Sequence, residues 1–170
     1  IVPRGKSLGA AWYLPEEHQL YTKEQLLHKM YTALGGRAAE DLVFGEISSG
    51  ALNDLEKVTK QAYSMVAYYG LDEKLGPISF YESSGQYQQS FHKPYSEATA
   101  QLIDEEVRQL VAKAYAHTKA LLKQHRQELA ALAMLLLDQE VADKKELERI
   151  FGKKIHPSRV SSGQSKPSKE

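Results

Sequence analysis

Apolar residues recur along most of this chain at intervals of three and four, the spacing that gathers one face of an α-helix. Leu26, Leu27, Met30, Ala33, Leu34 and Ala38 form one such stripe, predicting a helix over 22–39 with Thr22 as its N-cap. Leu55, Val58, Ala62, Met65, Val66 and Tyr69 form a second, predicting a helix over 51–69 that Gly70 stops in a left-handed turn. The longest stripe comes after Pro94 and Ser96 and runs through Leu102, Ile103, Val107, Leu110, Val111, Ala114, Tyr115, Thr118, Leu121 and Leu122 to about position 124. An Ala- and Leu-rich helix over 126–137 comes next. A last short one over 143–151 is opened by the capping-box pair Asp143 and Glu146 and closed by Gly152. Short turns between these last helices predict a local helical hairpin.

The period shortens to two only at 8–14. Leu8, Ala10, Trp12 and Leu14 share one face there, with Gly9, Ala11 and Tyr13 on the other, and Pro15 ends the segment. The fold class is therefore expected to be mainly α, with a small edge strand or hairpin near the N-terminus. Residues 44–50 read as a loop, 71–91 as a turn-rich connector, and 153–170 as a disordered tail of Ser, Lys, Pro and Gly without aromatics.

Two details interrupt this pattern. Gly35-Gly36 lies inside the first helix, where each glycine costs about 1 kcal/mol relative to alanine. Close approach of another backbone would account for the pair, and fraying of the helix end is the alternative. The second detail is Asp54, in the first turn of the second helix and about 40° around the axis from the apolar stripe at Val58. It can serve as a first-turn acid complementing the helix dipole, or as a partly buried carboxylate paired with a cation.

Composition narrows the chemistry. The 22 basic and 22 acidic residues cancel, so nothing favours nucleic acid or an anionic membrane surface. There is no cysteine, which leaves histidine and carboxylate as metal donors. No apolar run approaches the roughly 20 residues of a membrane span. The phosphate-binding pattern Gly-x-x-x-x-Gly-Lys-Ser/Thr does not occur either.

The run Leu34-Gly35-Gly36-Arg37-Ala38-Ala39-Glu40, then Phe44-Gly45-Glu46 and Ser49-Gly50-Ala51-Leu52-Asn53-Asp54-Leu55, resembles the peptidase domain of the FtsH-type, membrane-anchored AAA+ zinc metalloproteases, which include the mitochondrial m-AAA enzymes. Ile1-Val2-Pro3-Arg4-Gly5, Tyr21-Thr22-Lys23-Glu24-Gln25-Leu26, Gly70-Leu71-Asp72-Glu73-Lys74-Leu75-Gly76-Pro77 and Lys93-Pro94-Tyr95-Ser96-Glu97 extend the resemblance from position 1 to about 152. It implies a peptidase domain over 1–152, with a metal-site part at 1–80, a connector at 81–95 and C-terminal helices at 96–152.

In that family zinc is held by two histidines of a His-Glu-x-x-His helix and by an aspartate from another helix, and the glutamate is the general base. Asp54 matches the aspartate. None of His18, His28, His92, His117, His125 and His156 has a second histidine four residues away. The resemblance therefore implies a domain cut after the His-Glu-x-x-His helix, holding the third zinc ligand without the first two and catalytically incomplete by itself. Glu40 is expected either to orient a zinc-bound imidazole or to form a surface ion pair with Arg37, and Asn53 either to help fix the same turn or to be a tolerated polar residue. Gly35-Gly36 would face the missing helix or the Asp54 helix.

The strand residues Gly9, Ala10, Ala11, Trp12 and Tyr13 would receive a polypeptide substrate as an added strand, or simply cover the core. The resemblance further implies ATP and Mg2+ at an AAA+ module outside this chain, a homohexamer, and anchoring through segments not present here. The peptidase would face the bacterial cytoplasm or the mitochondrial matrix. Degradation of unfolded or damaged membrane and soluble proteins is the implied activity; a non-catalytic helical oligomerisation module of an AAA+ ring is the alternative.

Overall fold

A computed structural model of the chain describes residues 20–80 and 95–153. The expected strand at 8–14, most of the connector at 81–95 and the tail beyond 153 fall outside the described residues.

Helix α1, Lys23–Phe44, begins as its sequence indicates. Thr22 Oγ accepts the Gln25 N–H at 3.2 Å, and Gln25 Oε1 accepts the Thr22 N–H at 2.9 Å. The helix runs through both glycines and stops at Gly45, whose φ of 70° lets its N–H reach the Asp41 carbonyl at 3.2 Å. The end expected near 39 comes five residues early, because nothing between Glu40 and Phe44 breaks a helix. Leu26, Met30, Leu34 and Ala38 are its buried ridge, each four residues from the next.

A 3-10 turn, Ser49–Ala51, leads directly into α2, Leu52–Tyr63, which continues as a π-helical turn over Ser64–Tyr68. In that turn the Tyr69 N–H reaches five residues back to the Ser64 carbonyl. The wider turn shifts the angular phase of the helix, and Met65, Val66 and Ala67 are buried in succession. Tyr69, expected in the stripe, is instead 58% exposed. Gly70 closes the segment at φ 61°, as its position indicates.

Helix α3, Glu97–Gln124, is capped by Ser96 Oγ on the Thr99 N–H and packs against α1 and α2. Met30 and Leu34 from α1, Val58 and Met65 from the second segment, and Ile103 from α3 are the largest of the fully buried side chains in the resulting core. Each such burial stabilises by about 1.5–3 kcal/mol. Polar clasps border this core. Tyr63 donates to Asp104 at 2.7 Å, and Tyr115 and Lys119 both donate to Asp41 Oδ2, at 2.7 and 2.8 Å. Lys74 binds the buried carboxylate of Glu106.

These three helices lie in one compact unit, Tyr13–Arg126. The other unit takes in Gln127–Glu170 and carries α4, Arg126–Gln139, and α5, Lys144–Phe151. Asp143 and Glu146 form the expected capping box at the start of α5. No residue of α4 or α5 is buried, although α4 is rich in leucine. The described residues are thus mainly α, as the periodicity predicts, and none of their helices is long and apolar enough to cross a membrane.

Candidate metal centre

Asp54 stands in the first turn of α2 with its side chain 47% exposed, and its Oδ1 is 3.2 Å from Lys57 Nζ. The pair is of the i,i+3 helical kind, which exchanges readily with solvent. Asp54 is therefore an accessible carboxylate held by an exposed lysine, able to give up that partner and supply one oxygen donor. Among the described residues no three of histidine, cysteine, aspartate and glutamate come together in a metal-holding group. The donor chemistry suits one arm of a metal centre; the described residues do not complete it.

Among the described residues Glu40 finds its hydrogen-bond partner in Ser48. Its carboxylate accepts the Ser48 N–H at 3.0 Å and the Ser48 hydroxyl at 2.9 and 3.1 Å. The Ser48 backbone bond, then its side-chain bond, holds the Glu40 carboxyl below the usual range, with a smaller contribution from Arg37. Ser48 Oγ in turn accepts the Gly50 N–H at 3.2 Å. The glutamate near the end of α1 is thereby tied to the turn that starts the Asp54 helix. Asn53 is exposed.

Of the two neighbours expected for Gly35 and Gly36, the Asp54 helix is not the one that meets them. A Cβ on either would meet nothing within 4 Å among the described residues, so the Asp54 helix does not press on them. The α1–α2 packing instead uses larger side chains, and Leu34, Arg37, Leu55, Tyr63, Val107 and Tyr115 line a cleft of about 670 Å³ beside α1, α2 and α3. His28 is an exposed residue 3.9 Å from Glu24, and His117 stacks on Tyr31 with ring centroids 4.5 Å apart.

Sequence reasoning missed Ser48, whose signal was available: a serine two residues before a glycine in a short loop is a common turn former. It also missed Asp41 and Glu106. Their partners lie 74 and 32 residues away, beyond the reach of local pattern.

Comparison with known proteins adds three findings. Peptidase family M41 matches residues 1–150. The chain is 54% identical over 159 residues to the ATP-dependent zinc metalloprotease FtsH of Parabacteroides distasonis, an alignment covering 94% of this chain and 23% of that protein. It is also 49% identical over 152 residues to the mitochondrial inner membrane m-AAA protease component AFG3L2 of Mus musculus, covering 89% of this chain and 19% of the relative. The chain spans about a fifth of the length of the curated relatives it matches.

Proposed function

Because this chain belongs to peptidase family M41, we propose that it works as the peptidase portion of an ATP-dependent zinc metalloendopeptidase that degrades unfolded or damaged membrane and soluble proteins. Asp54 contributes one zinc ligand in this reading. The two histidines and the general base come from sequence outside these 170 residues, and the chain alone is inactive. The observation that carries the proposal is the accessible Asp54 carboxylate at the start of α2, displaceable from Lys57 and embedded in the sequence that matches the family.

Zinc, when bound, supplies Lewis acidity toward a peptide carbonyl and toward water. The residues of this chain do the placing. α2 presents Asp54 from its first turn, where it pairs with the exposed Lys57 and would offer a carboxylate oxygen to the metal, and Asn53 lies in the same turn. Gly9, Ala10, Ala11, Trp12 and Tyr13 offer backbone groups to an extended polypeptide substrate. ATP and Mg2+ act at a separate AAA+ module, the assembly is a homohexamer, and a membrane anchor outside this chain holds the peptidase toward the bacterial cytoplasm or the mitochondrial matrix.

One observation favours a second reading, a non-catalytic helical oligomerisation module. Helix α4 keeps apolar side chains in the open, with Met134 66% and Leu137 76% exposed, as an assembly surface requires. A chimera separates the two. This chain replaces the matched segment of the Parabacteroides distasonis relative, and casein hydrolysis and ATPase activity are measured together. The peptidase reading expects ATP-dependent, EDTA-sensitive hydrolysis that Asp54→Asn abolishes while ATPase activity persists. Hydrolysis retained in Asp54→Asn removes Asp54 from the ligand set. A hexameric, ATPase-active chimera without hydrolysis supports the assembly module.

A further inference from the structure

The start of α2 has no cap of its own. Its N-cap position is Ala51, which makes no side-chain hydrogen bond to the first turn. The restraint comes from further back in the chain. Ser48 Oγ holds the Gly50 N–H inside the 3-10 turn Ser49–Ala51, and Glu40 grips Ser48 through both the backbone N–H and the hydroxyl. The 3-10 turn passes into α2 without an intervening residue, and Asp54 is the third residue of that helix. Hydrogen bonds therefore run from α1, which is anchored in the core by Leu34 and Ala38, to Gly50 in the 3-10 turn, and the backbone passes from there directly into the first turn of α2 that carries Asp54.

We propose that Glu40 and Ser48 are positioning residues that set the register and direction of Asp54 by fixing the loop between α1 and α2. The proposal rests on Asp54 being a metal ligand. It gives Glu40 a different role from an imidazole partner, since it acts on the aspartate arm through Ser48. The physical need is clear. A ligating group must be held to within about 0.5 Å of its working position, and the exposed Lys57 contact cannot hold a backbone. Ser48 suits the task because one hydroxyl donates to the carboxylate and accepts from Gly50 at the same time.

The test uses the full-length chimera loaded with zinc, with Ser48→Ala, Ser48→Thr, Glu40→Gln and Asp54→Asn variants. Zinc affinity is read by competition with a chromogenic chelator, beside ATPase rate and thermal midpoint. Ser48→Ala and Glu40→Gln are expected to weaken zinc binding about 10- to 100-fold, the range typical of residues that orient a ligand, with ATPase rate unchanged. Ser48→Thr, which keeps both the N–H and the hydroxyl, restores the affinity. In the isolated chain, Ser48→Ala should also speed hydrogen exchange at the Gly50 amide, a readout independent of zinc and of the chimera's folding. Unchanged zinc affinity in Ser48→Ala and Glu40→Gln, with zinc lost in Asp54→Asn, overturns the positioning role alone. Zinc held normally by Asp54→Asn overturns the ligand reading beneath it.

Discussion

Gly70 sits at φ 61°, and a Cβ there would come within 3.1 Å of Pro77 Cα and 3.2 Å of the Pro77 carbonyl carbon. Left-handed backbone costs a side-chain-bearing residue roughly 1–2 kcal/mol, and the contact with backbone adds to that. Gly70→Ala is expected to lower unfolding free energy by at least about 1 kcal/mol in urea titration. Gly45, also left-handed but with open space around its Cβ position, should lose only the conformational part. Asp41 makes a different residue-scale prediction. Hydrogen bonds from Lys119 first and Tyr115 second hold its carboxyl below the usual range. Its folded pKa lies below its unfolded one, so its stabilising contribution is complete above about pH 4 and is lost as pH falls through the folded value. Lys119→Met should therefore flatten the acid limb of stability below about pH 4, as read by urea midpoints across that range.

Among the elements, α1 was legible almost to its end because its signals are local. The Thr22–Gln25 capping box bonds residues three apart, and Thr22→Ala should cost about 0.5–2 kcal/mol. The stripe over 51–69 was legible only in part. Periodicity placed Leu55, Val58 and Ala62 correctly toward the core, but the π-helical turn at Ser64–Tyr68 changed the phase and turned Tyr69 outward. A helical repeat assumes 3.6 residues per turn throughout, whereas burial of Met65, Val66 and Ala67 together selects a wider turn. On α3, Ile103→Ala removes one of the most deeply buried side chains and should cost about 2–5 kcal/mol. Leu137→Ala on the open face of α4 should change stability by no more than about 0.5 kcal/mol. Thermal unfolding of the two variants side by side checks both.

For the whole molecule, the central fact is that a chain matching family M41 over 1–150 corresponds to about a fifth of its relatives' length. Its described residues bring one accessible carboxylate to the start of α2 and gather no group of metal ligands around it. Zinc should accordingly add nothing to the stability of the isolated chain. EDTA treatment is expected to leave its thermal midpoint unchanged, and elemental analysis after dialysis to find well under one zinc per chain. A stoichiometric, EDTA-sensitive zinc would show that these 170 residues build a centre of their own.

Sequence alone determined the family, the mainly helical class, the caps at Thr22, Ser96 and Asp143 and the stop at Gly70, because each depends on residues within one or two turns of one another or on long runs of matching text. It also singled out Glu40 and Asp54. Tertiary structure decided what Glu40 holds, which way Tyr69 faces, that Gly35 and Gly36 stand clear of the Asp54 helix, and that Asp41 and Glu106 are clasped by distant partners. Those outcomes depend on which side chains meet when helices far apart in the chain pack together, and the packing geometry is not carried by periodicity.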